Sequence, residues 1–170
     1  MAAAVIPPAA AEDARAAMRG LKGQRDTSKA HWTEMDDRQR RDAARLVAAQ
    51  SGLHIVSVGV PVPKRKQERA RSKCLTALVY ELHAFGIDQL YLEARESTLN
   101  ARDITTVVAA RRNMPKGTRF QADHIHGRDE PLLWVSDIVA GAVRAQRQGD
   151  ERYTSLLGDV LFDFNVPTSC

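Results

Sequence analysis

A chain of 170 residues can bury a real hydrophobic core, and its 44% hydrophobic and 27% charged residues are ordinary for a globular protein. No apolar run approaches the roughly 20 residues that a membrane-spanning helix needs, and two cysteines, Cys74 and Cys170, form neither a disulfide framework nor a metal motif. A net charge of +4 permits a nucleic-acid partner, whereas 5% aromatic residues argue against a protein that stacks single-stranded bases. We therefore expect one cytoplasmic domain over residues 1–170 with no membrane partner.

The first third of the chain mixes strand and helix patterns. The predicted elements are a strand over Ala2–Ile6, an alanine-rich helix over Ala9–Leu21, a helix capped by Asp36 or Asp37 that runs to about Gln50, and a β-rich strand over Leu53–Val60. The segment Gln24–Met35 is polar and irregular and carries His31-Trp32. A Trp in such a loop usually packs onto the core, and we expect the neighbouring His to be a bystander.

The longest predicted helix covers Lys64–Phe85. Its apolar residues recur at helical spacing and are predicted to face the core: Cys74, Leu75, Leu78, Val79, Leu82 and Phe85. Its first half is basic and contains Lys64, Arg65, Lys66, Arg69, Arg71 and Lys73. Such a helix end is either a solvated face or a surface that contacts nucleic-acid phosphates.

The second half of the chain continues the alternation. It predicts a strand over Ile87–Glu93, a helix over Asn100–Asn113, a strand over Thr118–Ile125, a helix over Glu130–Val143, a last helix over Asp150–Val160 and an extended piece over Leu161–Val166. The order strand, helix, strand, helix, strand, helix from Leu53 to Arg147 indicates parallel strands joined by right-handed crossovers. The fold class is therefore α/β, with helices on both sides of a small sheet.

The helix over Glu130–Val143 is apolar on nearly every side, which predicts that other structure covers it. One carboxylate, Asp137, interrupts it. The small residues Ala140 and Gly141 beside Asp137 would let another backbone, a metal ion or a ligand come close. Because a carboxylate in such surroundings is costly unless it is paired, hydrogen-bonded or metal-bound, a structural hydrogen bond such as a helix cap and a functional site are equally open.

Sites in parallel sheets form at the carboxyl ends of the strands. Glu93 ends one predicted strand, Asp123 lies near the end of the next, and Asp137 follows in the next helix. Three converging carboxylates would suit Mg²⁺ or Mn²⁺, so we expect Glu93 and Asp137 to lie within ~8 Å of each other. The alternative for Glu93 is an ion pair with Arg95 or Arg102. The sequence contains no zinc motif, no Gly-x-Ser-x-Gly elbow and no Gly-rich phosphate loop.

Several segments carry a family resemblance. They are His31-Trp32, Cys74-Leu75, Tyr80-Glu81-Leu82, Leu92-Glu93-Ala94-Arg95-Glu96, Asn100-Ala101-Arg102-Asp103, Asp123-His124 and the stretch from Pro131 to Val143. With them the chain resembles a compact bacterial branch of the domain of unknown function 3800 family, most specifically through Trp-x-x-Asp-x-x-x-Gly-Ala around Asp137. The resemblance implies a three-layer, ribonuclease-H-like mixed sheet with flanking helices, and a metal-dependent nuclease-like site in which Glu93, Asp123 and Asp137 carry over by position.

One departure from the family pattern is at the N-terminus. Family members usually begin with a central strand that bears an Asp-Glu-Ser motif, whereas Met1 to Ile6 looks like the end of the second strand. Two hypotheses follow. The first is a nuclease that uses Mg²⁺ or Mn²⁺ at Glu93, Asp123 and Asp137 and holds nucleic acid at the basic residues Lys64, Arg65, Lys66, Arg69 and Lys73. The second is an inactive nucleic-acid- or protein-binding module or a truncated remnant. Sheet edges left open beside Ile87–Glu93 and Ala2–Ile6 predict self-association.

Overall fold

The computed structural model describes residues 1–22 and 29–168, and these fold into helices and two small β-sheets. In chain order the elements are β1 (Ala2–Val5), α1 (Ala11–Lys22), α2 (Asp37–Ala48), β2 (Leu53–Val60), α3 (Gln67–Ala84), β3 (Gln89–Glu93), α4 (Ser97–Arg112), β4 (Gln121–Ile125), α5 (Leu132–Gln146), α6 (Arg152–Leu157) and β5 (Leu161–Pro167). The predicted mixed α/β class is confirmed. The predictions for Cys170 and for the first part of Gln24–Met35 lie outside the described residues.

The two sheets differ in strand direction. The larger has the order β1-β2-β5, and β1 runs antiparallel to β2 with Ala2 opposite Val56. The smaller is a parallel pair in which Gln89 of β3 lies opposite Gln121 of β4. The predicted parallel arrangement is therefore confirmed for β3 and β4 and is wrong for β2, which joins the other sheet. The order of elements along a chain does not specify which strands share hydrogen bonds, and the antiparallel partner β1 already pairs with β2.

Contacts group the chain into two compact units. The α5 unit contains Ala2–Val56 and Gly127–Asp163. The β3–β4 unit contains Met1, Ser57–His126 and the chain from Phe164 onward. The expectation of one domain stays a prediction. Self-association through open sheet edges also stays a prediction, and β1 is an edge strand of its sheet.

The helix α5 is the core of its unit. It packs against β1, α1, α2 and α6. Its fully or almost fully buried side chains are Trp134, Val135, Ile138, Val139, Ala142 and Val143, so the predicted burial is confirmed. Each large apolar side chain removed from water in this way contributes about 1.5–3 kcal/mol. The Trp134 indole N–H donates to the Gly127 carbonyl, which leaves no unpaired donor at that ring.

The β3–β4 unit forms its core between α3, α4 and the strand pair. Leu90 and Leu92 of β3 are buried while Tyr91 and Glu93 are exposed, as the strand alternation predicts. Cys74 is a small buried hydrophobe, also as predicted. Phe85 was expected on the core stripe, and this is wrong because α3 ends at Ala84 and Phe85 is 52% exposed just beyond it.

The side chain of His54, in the core of the α5 unit, makes no hydrogen bond. His54 of β2 is completely buried, and neither of its ring nitrogens has a partner. Burial disfavours the imidazolium and lowers the pKa of His54 to about 4, although the nearby Val47 carbonyl raises it slightly. The ring is therefore neutral in the folded protein.

We expect the protein to lose stability as the pH falls below 6.5 because of His54. The unfolded chain binds a proton at an ordinary His pKa of about 6.5, whereas the folded chain resists protonation until about pH 4. The free energy of unfolding should therefore drop by about 2 kcal/mol between pH 7.5 and pH 5 from this residue alone. Urea unfolding of wild type and His54→Leu over that range measures the difference. Equal losses in both proteins would contradict the prediction.

Candidate functional site

The side chain of Trp32, which lies in the loop before α2, packs against α5. The indole is 7% exposed and lies directly against Gly141, where an added Cβ would overlap the ring. The Tyr153 ring meets it edge-on with centroids 4.9 Å apart, and the Arg40 guanidinium lies 5.2 Å from its centroid. The predicted packing of Trp32 onto the core is confirmed. The group that approaches the small residue Gly141 is this side chain.

Asp137 lies one helical turn before Gly141 on α5, and its carboxylate binds the backbone of Trp32. Its Oδ2 accepts the Trp32 backbone N–H at 2.9 Å, and His31 Nδ1 lies 3.5 Å from that oxygen. Trp32 begins a short 3₁₀ turn over Trp32–Glu34, so Asp137 satisfies one of the open donors at its start. Of the two interpretations of Asp137, the structural hydrogen bond is present. His31 was expected to be a bystander, but its ring lies beside the Asp137 carboxylate.

The other two predicted metal ligands lie in the β3–β4 unit. Glu93 and Asp123 are both exposed, and the strand register places them on the same face, with Asp123 opposite Tyr91. Asp123 accepts a hydrogen bond of 2.9 Å from Gln89 Nε2. Asp137 belongs to the α5 unit, so its predicted proximity to Glu93 stays a prediction. Within residues 1–22 and 29–168, no three His, Cys, Asp or Glu side chains are arranged to hold a metal ion.

A buried carboxylate that the sequence interpretation missed is the centre of the β3–β4 unit. Asp103 of α4 is 3% exposed. Arg71 binds it with two hydrogen bonds of 3.1 and 2.8 Å, and Arg95 Nη2 lies 3.1 Å from both of its oxygens. Arg95 also donates to Glu68 at 2.8 Å, and His124 Nε2 lies 3.7 Å from Asp103.

Asp103 stays ionised in this surrounding. Burial by itself would raise the pKa of Asp103, but the hydrogen bonds from Arg71 and the charges of both arginines outweigh it and lower the pKa. The signal in the sequence is its spacing from the buried residues Val107 and Ala110, which places Asp103 on the inner stripe of α4. A carboxylate on an inner stripe needs partners. Its partners are Arg71, expected on a solvated or phosphate-contacting face, and Arg95, expected as an alternative partner of Glu93.

The predicted basic face of α3 divides into two groups. Arg71 turns toward Asp103 and is half-buried. The other residues begin at the 3₁₀ turn Lys64–Lys66: Lys64, Arg65, Lys66 and Arg69 are exposed, and Lys73 is half-buried. The β3–β4 unit holds twelve Lys and Arg against seven Asp and Glu, a formal charge of +5, whereas the α5 unit holds thirteen against fourteen. The positive charge of the protein is therefore concentrated in the unit that contains α3.

A comparison of the chain with protein-family models, with curated proteins and with solved structures found no match. In the described part of the chain, no helix has both the length and the apolar character that crossing a membrane demands.

We expect Gly141→Ala to destabilise the protein, against the usual effect of this substitution in a helix. Removing glycine from a helix interior normally stabilises by about 0.5–1 kcal/mol. At Gly141 the new methyl group would displace the Trp32 ring, at a cost of about 1–3 kcal/mol. The matched control is Gly20→Ala in α1, where an added Cβ meets nothing within 4 Å. The melting temperature should fall for Gly141→Ala and rise for Gly20→Ala. A Gly141→Ala protein as stable as wild type would contradict the packing of Trp32 against Gly141.

Proposed function

We propose that this protein binds nucleic acid through the 3₁₀ turn Lys64–Lys66 and the first turn of α3, without the need for a catalytic step. The observation that carries the proposal is the cluster of exposed cations Lys64, Arg65, Lys66 and Arg69 in a unit of formal charge +5. Phosphate contacts by Lys and Arg supply most of the affinity of sequence-independent nucleic-acid binding. The cytoplasm is the location that we propose with this function.

The local electrostatics favour an anion at this segment. Glu68 is the acidic residue in the first turn of α3, and Arg95 already pairs with it at 2.8 Å. The positive end of the α3 dipole lies at the same place, next to the 3₁₀ turn Lys64–Lys66. The exposed cations therefore keep their attraction for a phosphate backbone.

We expect the triple variant Lys64→Ala/Arg65→Ala/Lys66→Ala to bind nucleic acid more weakly and with less dependence on salt. Each phosphate contact contributes about 0.9 to the slope of log affinity against log salt, so the slope should shrink by about 2–3. Fluorescence anisotropy with duplex DNA and with duplex RNA, from 50 to ~300 mM salt, measures it. The matched control is Arg19→Ala/Lys22→Ala/Arg144→Ala, which removes the same charge from the α5 unit. An equal change in both variants would show that only net charge matters.

A second candidate is metal-dependent phosphodiester hydrolysis on a ribonuclease-H-like fold, as the resemblance to the domain of unknown function 3800 family implies. It is favoured by Glu93 and Asp123, which share an exposed face of the parallel pair β3–β4. Asp137 of the α5 unit is the third residue that the resemblance carries over, and its Oδ1 has no hydrogen-bond partner among the described residues. Mg²⁺ or Mn²⁺ held by carboxylates of this kind would polarise a phosphate and activate water.

This second candidate predicts that Mn²⁺ raises the melting temperature, because an ion that binds only the folded chain stabilises it by about 2.7 kcal/mol at 100 times its Kd. Glu93→Gln, Asp123→Asn and Asp137→Asn should each reduce the shift. The Asn at position 137 can still accept the Trp32 N–H, so loss of the shift would report on ion binding rather than on unfolding. Asp88→Asn is the control on an exposed carboxylate outside the proposed ligand set. A wild-type protein that Mn²⁺ does not stabilise would rule out this candidate.

A further inference from the structure

A groove of about 400 Å³, open to solvent, lies between α3 and α4 in the β3–β4 unit. Its walls are Glu68, Arg69, Ser72, Arg102, Asp103, Thr105 and Thr106. Small-molecule sites in proteins have volumes of about 300–1,000 Å³, so the groove has room for a phosphate with part of the group attached to it.

The charges around the groove leave two arginines available. Asp103 and Glu68 are both occupied by the paired arginines Arg71 and Arg95. Arg69 and Arg102 are exposed, and neither has an ion-pair partner in the described parts of the chain. Arg71 and Arg95 do not line the groove, but they neutralise its two carboxylates, so the charges of Arg69 and Arg102 give the groove a net attraction for an anion.

Hydrogen bonds within the walls hold the groove in shape. Ser72 Oγ and Thr106 Oγ1 are 2.9 Å apart and join α3 to α4. The hydroxyls of Thr105 and Thr106 also donate to backbone carbonyls of their own helix, those of Ala101 and Arg102. Since these hydroxyl protons are already used, recognition of an anion depends on Arg69 and Arg102.

We propose that this groove binds a phosphate group of nucleic acid between Arg69 and Arg102. The inference rests on the proposed function and deepens it, because Lys66, Arg69 and Lys73 follow one another at spacings of three and four residues. Arg69 and Lys73, four residues apart, lie on one side of α3, and Lys66 comes directly before its first turn, so the basic segment is continuous with the groove wall at Arg69. Guanidinium forks match phosphate oxygens two at a time, which favours phosphate contact at paired arginine positions.

The test compares Arg69→Ala/Arg102→Ala with Arg112→Ala/Arg119→Ala, which removes two exposed cations of the same unit that do not line the groove. The groove variant should bind duplex DNA about tenfold or more weakly than the control, with a salt slope smaller by about 2. Inorganic phosphate and pyrophosphate, titrated by calorimetry, should bind the wild type and the control and lose binding in the groove variant. Far-UV circular dichroism and thermal unfolding confirm that the two variants remain folded.

The outcomes separate this inference from the proposed function. If the groove variant and its control bind DNA and phosphate equally while Lys64→Ala/Arg65→Ala/Lys66→Ala still weakens DNA binding, the groove inference is overturned and the proposed function stands. If the wild type binds phosphate through Arg69 and Arg102 but binds no DNA or RNA, the phosphate site is supported with a small phosphorylated molecule as its source, and nucleic-acid binding fails. A wild type that binds none of these probes overturns both.

Discussion

The α5 unit depends on the close approach of Trp32 to α5. Gly141 provides the space for the indole, and Asp137, four residues earlier on the same helix, binds the backbone N–H of the same residue. The two contacts restrain both the ring and the main chain of Trp32. Tyr153 of α6 then packs against the fixed ring and donates its hydroxyl proton to Asp37 of α2 at 2.7 Å. Helices that are far apart in the sequence are thus joined through two aromatic residues, Trp32 and Tyr153.

In the β3–β4 unit, ion pairs with the buried carboxylate of Asp103 join elements that are distant in the sequence. Removing one partner from a buried ion pair leaves an uncompensated charge, which typically costs 3–5 kcal/mol. Asp103 meets two arginines, so its ionised form is satisfied within the core while Arg71 and Arg95 keep part of their side chains near solvent. Arg71 and Arg95 therefore hold the fold of this unit, whereas Arg69 and Arg102, which line the groove, have no ion-pair partner among the described residues.

The sequence predicted the local elements well because hydrophobic periodicity and capping residues are local signals. The strand Leu53–Val60 has the predicted bounds, and Asp36 caps α2 through a hydrogen bond to the Gln39 N–H. These local signals do not predict which residues distant in the chain contact each other. Trp32 and Asp137 are 105 residues apart, so the sequence indicated that Asp137 needed a partner without identifying it. The pairing of β2 with β1 instead of with β3 was missed for the same reason.

The contacts of Trp32 with Gly141 and Asp137 also constrain which residues relatives of this chain can carry at these positions. The bond from Asp137 goes to the main chain of position 32, so it does not depend on which side chain stands there. Gly141, in contrast, contacts the side chain itself. Positions 32 and 141 should therefore vary together, with any larger residue at 141 matched by a smaller one at 32, while the identity of residue 137 should vary independently of both. Covariation of this kind would appear in an alignment as a size-compensated pair.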